Sequence, residues 1–338
     1  STSRGNTMSD TFKALVLTQD DARKTIAEIR QLNDGDLPEG DVLVAVDYSS
    51  LNYKDGLAVT GKGKIVRTWP MVPGIDLAGT VLESGSPEYA AGDKIVLTGW
   101  SVGEKYWGGY SQRQRVQSNW LVPLPDGLDS QRAMAIGTAG FTAMLCVMTL
   151  EEAGVTPDKG AVLVTGAAGG VGSVAVAILG HLGYKVAAVS GRPETEDYLR
   201  QLGASEFVSR EEMNQPPRPL EGQRWAGAVD TVGSTLLARV LAEMDYGGCV
   251  AACGLAGGAD LPTTVMPFIL RNVSLRGVDS VMCPVDRRKD AWGRLVRDLP
   301  GDALGEIGQT VSLEEVPDAA AKIIAGQVRG RVIVDLNR

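Results

Sequence analysis

The order of apolar and polar residues predicts short strands in the first third of the chain. Residues 12–17 alternate in polarity, and a turn at 37–41 separates them from a longer apolar run at 42–51. Further strands are predicted at 77–82 and 94–98. Many short strands punctuated by Gly and Pro indicate a compact β-rich domain.

From residue 161 onward the pattern changes to strands that alternate with helices. Five apolar runs predict strands at 162–165, 185–190, 226–231, 248–253 and 273–277. Helices fit between them, for example at 194–202 and 236–244. This βαβα order predicts an α/β fold with a parallel sheet that carries helices on both faces.

Three further segments complete the predicted elements. Residues 133–150 are rich in Ala and Met and predict a long helix with breaks at Gly137 and Gly140. An amphipathic helix is predicted at 286–299. A last strand at 331–336 lies far along the chain from the alternating block, and we expect it to rejoin the first domain.

Composition indicates a soluble globular protein. The chain has 338 residues, 44% of them hydrophobic and 22% charged, which corresponds to about two domains. Its formal net charge of −8 argues against a nucleic-acid partner, which needs a basic face. We expect no run long and apolar enough to cross a membrane. Residues 1–7 are small and polar and precede Met8, and we interpret them as a remnant of an expression tag.

The segment 162–172 joins a β-branched strand to a glycine-rich turn, and 173–179 continues it as an apolar helix. This layout is typical of a dinucleotide site, where small residues allow a tight turn and the helix N-terminus faces the phosphates. Ala167 stands in the first glycine place of G-x-G-x-x-G, followed by Gly169 and Gly172. The alternative is a turn that merely connects strand and helix, but the context on both sides favours a cofactor.

The end of the next strand predicts which dinucleotide binds. An NAD site carries Asp or Glu there, which accepts a hydrogen bond from the ribose 2′-hydroxyl. This chain has Ser190, Gly191 and Arg192 instead. The Ser190 hydroxyl can donate a hydrogen bond, Gly191 lets a ligand approach the backbone closely, and the Arg192 guanidinium can bind a phosphate. Arg210 follows another predicted strand and is a second candidate for the same phosphate. We therefore predict NADPH, with a solvated surface arginine as the alternative for each guanidinium.

The sequence predicts a mechanism without metal. Zinc sites need Cys and His ligands at usable spacing, and the only histidine, His181, lies at the end of the glycine-turn helix. The four cysteines, Cys146, Cys249, Cys253 and Cys283, form no C-x-x-C pair and lie in apolar surroundings. They show no disulfide spacing either, so we expect a reducing cytoplasm.

From about Phe12 onward the chain resembles the medium-chain dehydrogenase/reductase superfamily, through the turn at 167–172 and the segment 137–143. In zinc members a Cys-containing turn and a Gly-His-Glu hold the metal. The corresponding segments here, 51–55 and 73–76, retain no such ligand. Because these ligands are missing, the chain resembles the zinc-free, quinone-oxidoreductase-like branch of the superfamily.

Longer motifs narrow the resemblance within that branch. They resemble the YhdH/AcuI-type acrylyl-CoA reductases and lie at 52–55, 60–64, 97–100, 253–258, 263–271 and 277–280. The resemblance implies a GroES-like β-rich catalytic domain around a Rossmann domain that binds NADPH in the interdomain cleft, and an assembly that is often a homodimer. On this basis we expect the catalytic domain at 8–132 and 281–338 and the Rossmann domain at 133–280.

The same resemblance implies a set of cofactor contacts. They come from the catalytic domain, the glycine turn, the strand ends and the later loops: Tyr53, Ala168, Gly169, Gly170, Val171, Ser190, Gly191, Arg192, Arg210, Leu255, Ile269, Ser280 and Gly326. It also implies reduction of acrylyl-CoA to propanoyl-CoA, in which hydride reaches the β-carbon and a proton the α-carbon. Without a metal, hydrogen-bond donors must stabilise the charge that builds on the thioester oxygen.

Tyr53 is the first candidate beside the nicotinamide, because we expect its phenol in a polar loop after a strand. Asn52 is a candidate oxyanion donor, and a tyrosine packed at an interface or a merely polar loop is the alternative. Lys62, Lys64 and Arg67 form a basic stretch in a glycine-rich loop, which we expect to meet the phosphates of the CoA thioester. A solvated basic loop would explain the same pattern.

Two other functions use the same cofactor site. A quinone or small-enone reductase would share the hydride chemistry, although a free quinone has no phosphate for the basic loop to bind. A non-enzymatic NADPH-binding protein would bind the cofactor without turnover. We rank acrylyl-CoA reduction first, quinone or enone reduction second and the non-enzymatic role last.

Overall fold

The computed structural model describes residues 10–338, so the segment 1–7 lies outside the described residues. The chain divides into two compact units. Unit 1 comprises the described chain up to Thr138 together with Val281–Lys289 and Gly308–Arg338, and unit 2 comprises Ala139–Ser280 and Asp290–Ile307. The segment 281–338 is thus shared, because residues 290–307 cluster with unit 2.

Strands and helices are numbered in chain order. The strands are β1 (Phe12–Gln19), β2 (Thr25–Leu32), β3 (Val42–Leu51), β4 (Asp76–Ser84), β5 (Lys94–Thr98), β6 (Arg113–Val116), β7 (Val122–Pro123), β8 (Val162–Val164), β9 (Val186–Ser190), β10 (Ala204–Ser209), β11 (Trp225–Asp230), β12 (Met244–Ala252), β13 (Ser274–Gly277), β14 (Gly308–Ser312) and β15 (Arg331–Asp335). The helices are α1 (Tyr53–Thr60), α2 (Ser130–Glu152), α3 (Gly170–His181), α4 (Glu196–Leu202), α5 (Arg210–Met213), α6 (Ser234–Ala242), α7 (Met266–Arg271), α8 (Val285–Asp298), α9 (Ala303–Ile307) and α10 (Val316–Ile324).

Unit 1 is built on a sheet in the order β14-β15-β3-β4-β5-β7, with β6 also paired to β3 and β1-β2 as a separate ribbon. The predicted last strand is confirmed, and it rejoins this unit by placing Val332 opposite Leu51 on β3. Alternate residues of β3, such as Val42 and Val44, are buried with Val334 in one core. Each such side chain contributes roughly 1.5–3 kcal/mol by leaving water.

Unit 2 contains a six-stranded parallel sheet in the order β10-β9-β8-β11-β12-β13. All residues of β8 and β11 are buried, which explains why these strands read as continuous apolar runs. The order reverses between β8 and β11, and in such sheets ligands bind at the carboxyl ends of the strands near that point. The predicted α/β fold, with a Rossmann-type parallel sheet in one unit and a β-rich sheet in the other, is confirmed.

The predicted long helix is α2, which kinks at Gly137 (φ 55°, ψ −164°) as expected. The predicted break at Gly140 is wrong, because α2 continues through it. The expectation of no membrane-length run is also wrong, since α2 has a mean hydropathy of 1.8 over a sufficient length. Yet 94% of the most apolar part of this helix is buried inside the protein, so α2 is a core helix.

Candidate functional site

The glycine turn of unit 2 begins at Gly166, whose φ of 57° lies in the left-handed region that glycine adopts without strain. Ala167 is fully buried, and its N–H donates to the Val189 carbonyl at 3.0 Å. The tight turn therefore bends at Gly166, one residue before Ala167, which occupies the first glycine place of the G-x-G-x-x-G spacing. A Cβ at Gly172 would lie 2.3 Å from the Gly166 carbonyl oxygen, so that position must be glycine for α3 to pack against the turn.

The N-terminus of α3 is shaped for an anion. Its N-cap residue, Gly169, has no side chain, and the backbone runs on through Gly170 and Val171, both half-buried. The first N–H groups of a helix have no partner within the helix, so they can donate to a phosphate. Ala168 is buried beside them, at 4% exposure. These four predicted contacts thus lie together in one turn.

The carboxyl ends of β9 and β10 bring the other predicted phosphate residues together. Ser190 lies opposite Ser209 in the parallel pair. A Cβ at Gly191 would lie 2.3 Å from Cζ of Arg210, so the Arg210 guanidinium covers the open face of Gly191. The N–H of Arg192 donates to the Ser190 hydroxyl at 3.3 Å. The Arg210 guanidinium, the Ser190 hydroxyl, Gly191 and the backbone of Arg192 therefore lie together at the carboxyl ends of these two strands.

A buried aspartate, absent from the sequence-based predictions, fixes the point where the strand order reverses. Asp230 accepts from the Thr165 hydroxyl and from the Gly233 N–H, each at 2.8 Å. The Thr231 hydroxyl donates to the Thr165 carbonyl at 3.0 Å. Burial raises the pKa of Asp230. The sequence carries a signal for this residue, because Asp230 is the one acidic residue at the end of the otherwise apolar strand Trp225–Asp230.

The loop after β12 is held against the loop after β11. The N–H of Gly257 donates to the Val232 carbonyl at 2.8 Å. This leaves Leu255 exposed (66%) on the loop, and Ile269 is exposed (74%) on α7. The two remaining predicted contacts are Ser280, the last residue of that segment of unit 2, and Gly326, which follows α10 in unit 1 with a φ of 71°.

In unit 1, Tyr53 is the first residue of α1, so the polar loop expected there is wrong. Asn52 is the N-cap, and its backbone N–H donates to the Asp55 carboxylate at 2.9 Å. This capping box starts the helix directly after β3. Tyr53 is 54% exposed, and its side chain makes no hydrogen bond with any described residue. Its phenol is therefore available to a ligand.

The Asn52 side chain points inward instead. It is 8% exposed, and its amide donates to the Ser50 hydroxyl at 3.3 Å and to the Asp55 carboxylate at 3.1 Å. Burial first, and then the charge of Asp76, raise the pKa of Asp55 to about 7. Both amide hydrogens of Asn52 are therefore directed at buried acceptors in this structure.

The predicted basic loop follows α1. Lys62 and Lys64 are exposed, and neither forms an ion pair with a described residue. Arg67 lies 3.9 Å from Glu104, which also pairs with Lys54 at 3.3 Å. The charge of Arg67 is thus partly balanced, and Lys62 and Lys64 carry most of the unpaired positive charge in this loop.

Proteins of this fold commonly hold zinc, so we asked whether this chain has the His, Cys, Asp or Glu ligands that a zinc ion requires. Among the side chains described, those of residues 10–305 and 308–338, no group of three or more His, Cys, Asp or Glu could hold a metal ion. Asp55 and Asp76, which lie in the segments 51–55 and 73–76 compared above with the zinc-holding segments, accept hydrogen bonds from the backbone N–H groups of Ile75 and Thr138. The residues present do not fit a zinc site.

Two family models match the chain. Residues 38–126 match the alcohol dehydrogenase GroES-like domain, and residues 170–297 match the zinc-binding dehydrogenase family. The first match confirms that the β-rich unit is GroES-like. The second covers α3 and five of the six strands of the parallel sheet, β9 to β13.

Three relatives match almost the whole chain. The acrylyl-CoA reductase AcuI of Ruegeria pomeroyi is 60% identical over 328 residues, which cover 96% of this chain and 99% of the relative. The crystal structure of E. coli K-12 YhdH with bound NADPH is 60% identical, with a TM-score of 0.93, and covers 96% of this chain and 100% of that one. The YhdH oxidoreductase from Salmonella enterica in complex with NADP is also 60% identical, with a TM-score of 0.94 and coverage of 96% and 99%.

Proposed function

The chain belongs to the AcuI/YhdH-type acrylyl-CoA reductases of the medium-chain dehydrogenase/reductase superfamily, and we propose from this how its own residues carry the reaction. It reduces acrylyl-CoA to propanoyl-CoA with NADPH. Each turnover adds a hydride at the β-carbon and a proton at the α-carbon, and leaves NADP⁺.

The contact between Gly191 and Arg210 is the observation that carries our assignment of the NADPH site. Arg210 and Arg192 hold the 2′-phosphate through charge-assisted hydrogen bonds, and Ser190 donates its hydroxyl. The pyrophosphate would lie against the N–H groups of Ala168, Gly170 and Val171, where the bare backbone at Gly169 admits it, since the Gly169 N–H itself donates to the Gly166 carbonyl at 3.0 Å. Leu255 and Ile269 supply apolar contacts, with Ser280 and Gly326 as further contacts predicted from the resemblance.

When bound, NADPH supplies the hydride for the β-carbon of the thioester. The chain must then stabilise the negative charge on the thioester oxygen and admit a proton to the α-carbon. We assign the contact with the reacting groups to the Tyr53 phenol, because it is exposed and uncommitted. Asn52 remains a candidate oxyanion donor, but only if its amide turns away from the buried acceptors that it now contacts.

The CoA part of the substrate carries phosphates, and Lys62 and Lys64 are their proposed partners. Both are exposed ammonium groups without a carboxylate partner among the described residues. Arg67 is the third member of the loop, and its pairing with Glu104 makes it the weakest anion ligand of the three. A protein with a net charge of −8 needs such a local basic loop to attract a polyanionic substrate.

We also propose that two copies associate and that the enzyme works in the cytoplasm. The parallel sheet ends in the edge strand β13, and the neighbouring α7 region exposes Val265 (67%) and Leu270 (57%). Unpaired strand edges beside apolar side chains favour association. All four cysteines are free, as expected in a reducing compartment.

One assay tests the reaction and the role of Tyr53 together. NADPH oxidation is followed with acrylyl-CoA, crotonyl-CoA and a quinone in parallel, for the parent enzyme and for Tyr53→Phe. We expect acrylyl-CoA to give the highest kcat/KM, and Tyr53→Phe to lower kcat by about 10-fold or more. Tyr246→Phe is the control, since Tyr246 is 71% exposed in unit 2. A preference for the quinone would overturn the substrate assignment, and an unchanged kcat in Tyr53→Phe would remove Tyr53 from the mechanism.

A further inference from the structure

A cluster of ionisable side chains is buried in unit 1 at the first turn of α1. Asp55, Asp76 and Arg331 are 1%, 0% and 2% exposed. Buried ionised groups are costly unless each one is paired and hydrogen-bonded. A core of apolar residues would be cheaper to build, so the arrangement of this cluster calls for a physical explanation.

Asn52 connects the three ionisable groups. Its amide nitrogen donates to the Asp55 carboxylate at 3.1 Å and lies 3.4 Å from the Asp76 carboxylate. Its amide oxygen accepts from the Arg331 guanidinium at 3.1 Å. Only an amide in this orientation can serve a cation on one side and two carboxylates on the other.

The cluster is also tied to the surrounding backbone. Arg331 donates to the Ala135 carbonyl at 3.0 Å, and the N–H of Thr138 donates to Asp76 at 2.7 Å. Gly137 lies between these two anchors with a φ of 55°. A Cβ there would lie 2.2 Å from Nη2 of Arg331 and 3.0 Å from Asp76, so the kink in α2 makes room for the cluster.

The position of Tyr53 depends on this cluster. The Tyr53 side chain makes no hydrogen bond with a described residue, so the backbone of the first turn of α1 sets its position. That turn is fixed by the capping box, in which Asp55 accepts from the Asn52 backbone and side chain. Asn52 is fixed in turn by Arg331 and Asp76.

We propose that Arg331 and Asp76 are positioning residues for the reduction, which act through Asn52 and the cap of α1 to hold the Tyr53 phenol in place. This inference rests on the function proposed for Tyr53. A guanidinium is needed because its fork reaches Ala135 and Asn52 at once, whereas an ammonium group provides the charge without that geometry. Displacing a reacting group by about 1 Å can lower a rate by about 100-fold.

A double-mutant cycle tests the proposal, with Arg331→Lys, Tyr53→Phe and the double variant measured on the full-length enzyme. We expect Arg331→Lys to lower kcat for acrylyl-CoA by about 10- to 100-fold and to change the Kd for NADPH by less than about two-fold. In the Tyr53→Phe background we expect Arg331→Lys to have no further effect, because both changes remove the same contact.

Arg113→Lys is the matched control. Arg113 also makes a two-point contact, at 2.8 and 2.6 Å to Asp34, but it is half-exposed and outside the cluster. It should leave kcat unchanged. If Arg331→Lys does not fold, Asp76→Asn replaces it in the double-mutant cycle with Tyr53→Phe, because this substitution keeps the shape of the side chain.

The outcomes separate the two proposals. Full activity in Tyr53→Phe would remove the role of Tyr53, and the positioning role with it. Effects of Tyr53→Phe and Arg331→Lys that multiply would leave the role of Tyr53 intact and overturn the positioning role. An Arg331→Lys variant with unchanged kcat would also overturn it.

Discussion

The guanidinium of Arg210 lies over the α-carbon of Gly191, where a Cβ would be 2.3 Å from Cζ and 2.5 Å from Nη1. Each residue follows the end of one of two neighbouring parallel strands, which Ser190 and Ser209 join in register. Arg210 can occupy this place only because residue 191 has no side chain. The two residues therefore act as one unit in the proposed 2′-phosphate site.

Gly191→Ala should weaken NADPH binding without unfolding the protein. The added methyl group meets the flexible end of the Arg210 side chain, which can move away. We expect the KM for NADPH to rise by about 10-fold, the loss of one charge-assisted hydrogen bond, while Tm stays nearly constant. Gly222→Ala is the control, because a Cβ there meets nothing within 4 Å. An equal KM in the two variants would contradict the contact.

Arg210→Gln and Arg192→Gln should reduce the preference for NADPH over NADH. Each substitution removes a cation that only the 2′-phosphate requires, so kcat/KM should fall by about 10- to 100-fold with NADPH and change little with NADH. Arg200→Gln is the matched control, because Arg200 is exposed and its guanidinium stacks on Phe207 at 4.8 Å. A parallel loss with both cofactors would show that the arginines act on the fold and not on the phosphate.

The fold was predictable because it follows from the spacing of hydrophobic residues within each element and from the order of strands and helices along the chain. Buried strands such as β8 and β11 are continuous apolar runs, and the alternation with helices requires a parallel sheet. The site was predictable where its residues lie close in sequence, as in Ser190, Gly191 and Arg192. The pairing of Arg210 with Gly191 depends on the register of two strands, which the sequence does not state.

The unpredicted parts depend on residues far apart in the chain. Arg331 and Asn52 are 279 positions apart, and no local pattern indicates their contact. Asp230 and Thr165 are separated by 65 positions. By contrast, the helix at Tyr53 had a local signal, because Asn52 and Asp55 have the spacing of a capping box.

The pKa of Asp55 predicts a pH dependence of stability. Burial and the charge of Asp76 raise this pKa from 3.8 to about 7, and Asn52, Arg331 and Tyr110 are the other groups that face the carboxyl. The folded protein therefore keeps a proton that the unfolded chain loses above about pH 4. The free energy of unfolding should fall between about pH 4 and about pH 7, by up to about 4 kcal/mol, and this group should contribute no further slope above that range.

Urea unfolding across this pH range, compared between the parent enzyme and Asp55→Asn, measures the effect. Asp55→Asn should flatten the slope, because the amide does not titrate. Asp34→Asn is the control, since the Asp34 side chain is 42% exposed and pairs with Arg113. An unchanged slope in Asp55→Asn would mean that Asp55 holds no extra proton in the folded enzyme.

Lys62→Ala combined with Lys64→Ala should raise the KM for CoA thioesters while leaving the Kd for NADPH unchanged. Each exposed ion pair contributes up to about 1 kcal/mol, so the double variant should raise KM by up to about 30-fold at low salt. Because salt screens exposed charges, the difference from the parent enzyme should shrink as ionic strength rises.

Lys159→Ala with Lys185→Ala removes two exposed lysines from unit 2, at positions away from the carboxyl ends of its strands, and should not change this KM. An acrylyl thioester that lacks the CoA phosphates completes the comparison, since its KM should be the same in the parent enzyme and the Lys62→Ala/Lys64→Ala variant. If the double variant instead loses affinity for both thioesters equally, the loop contacts the acyl group or shapes α1, and the phosphate assignment is wrong.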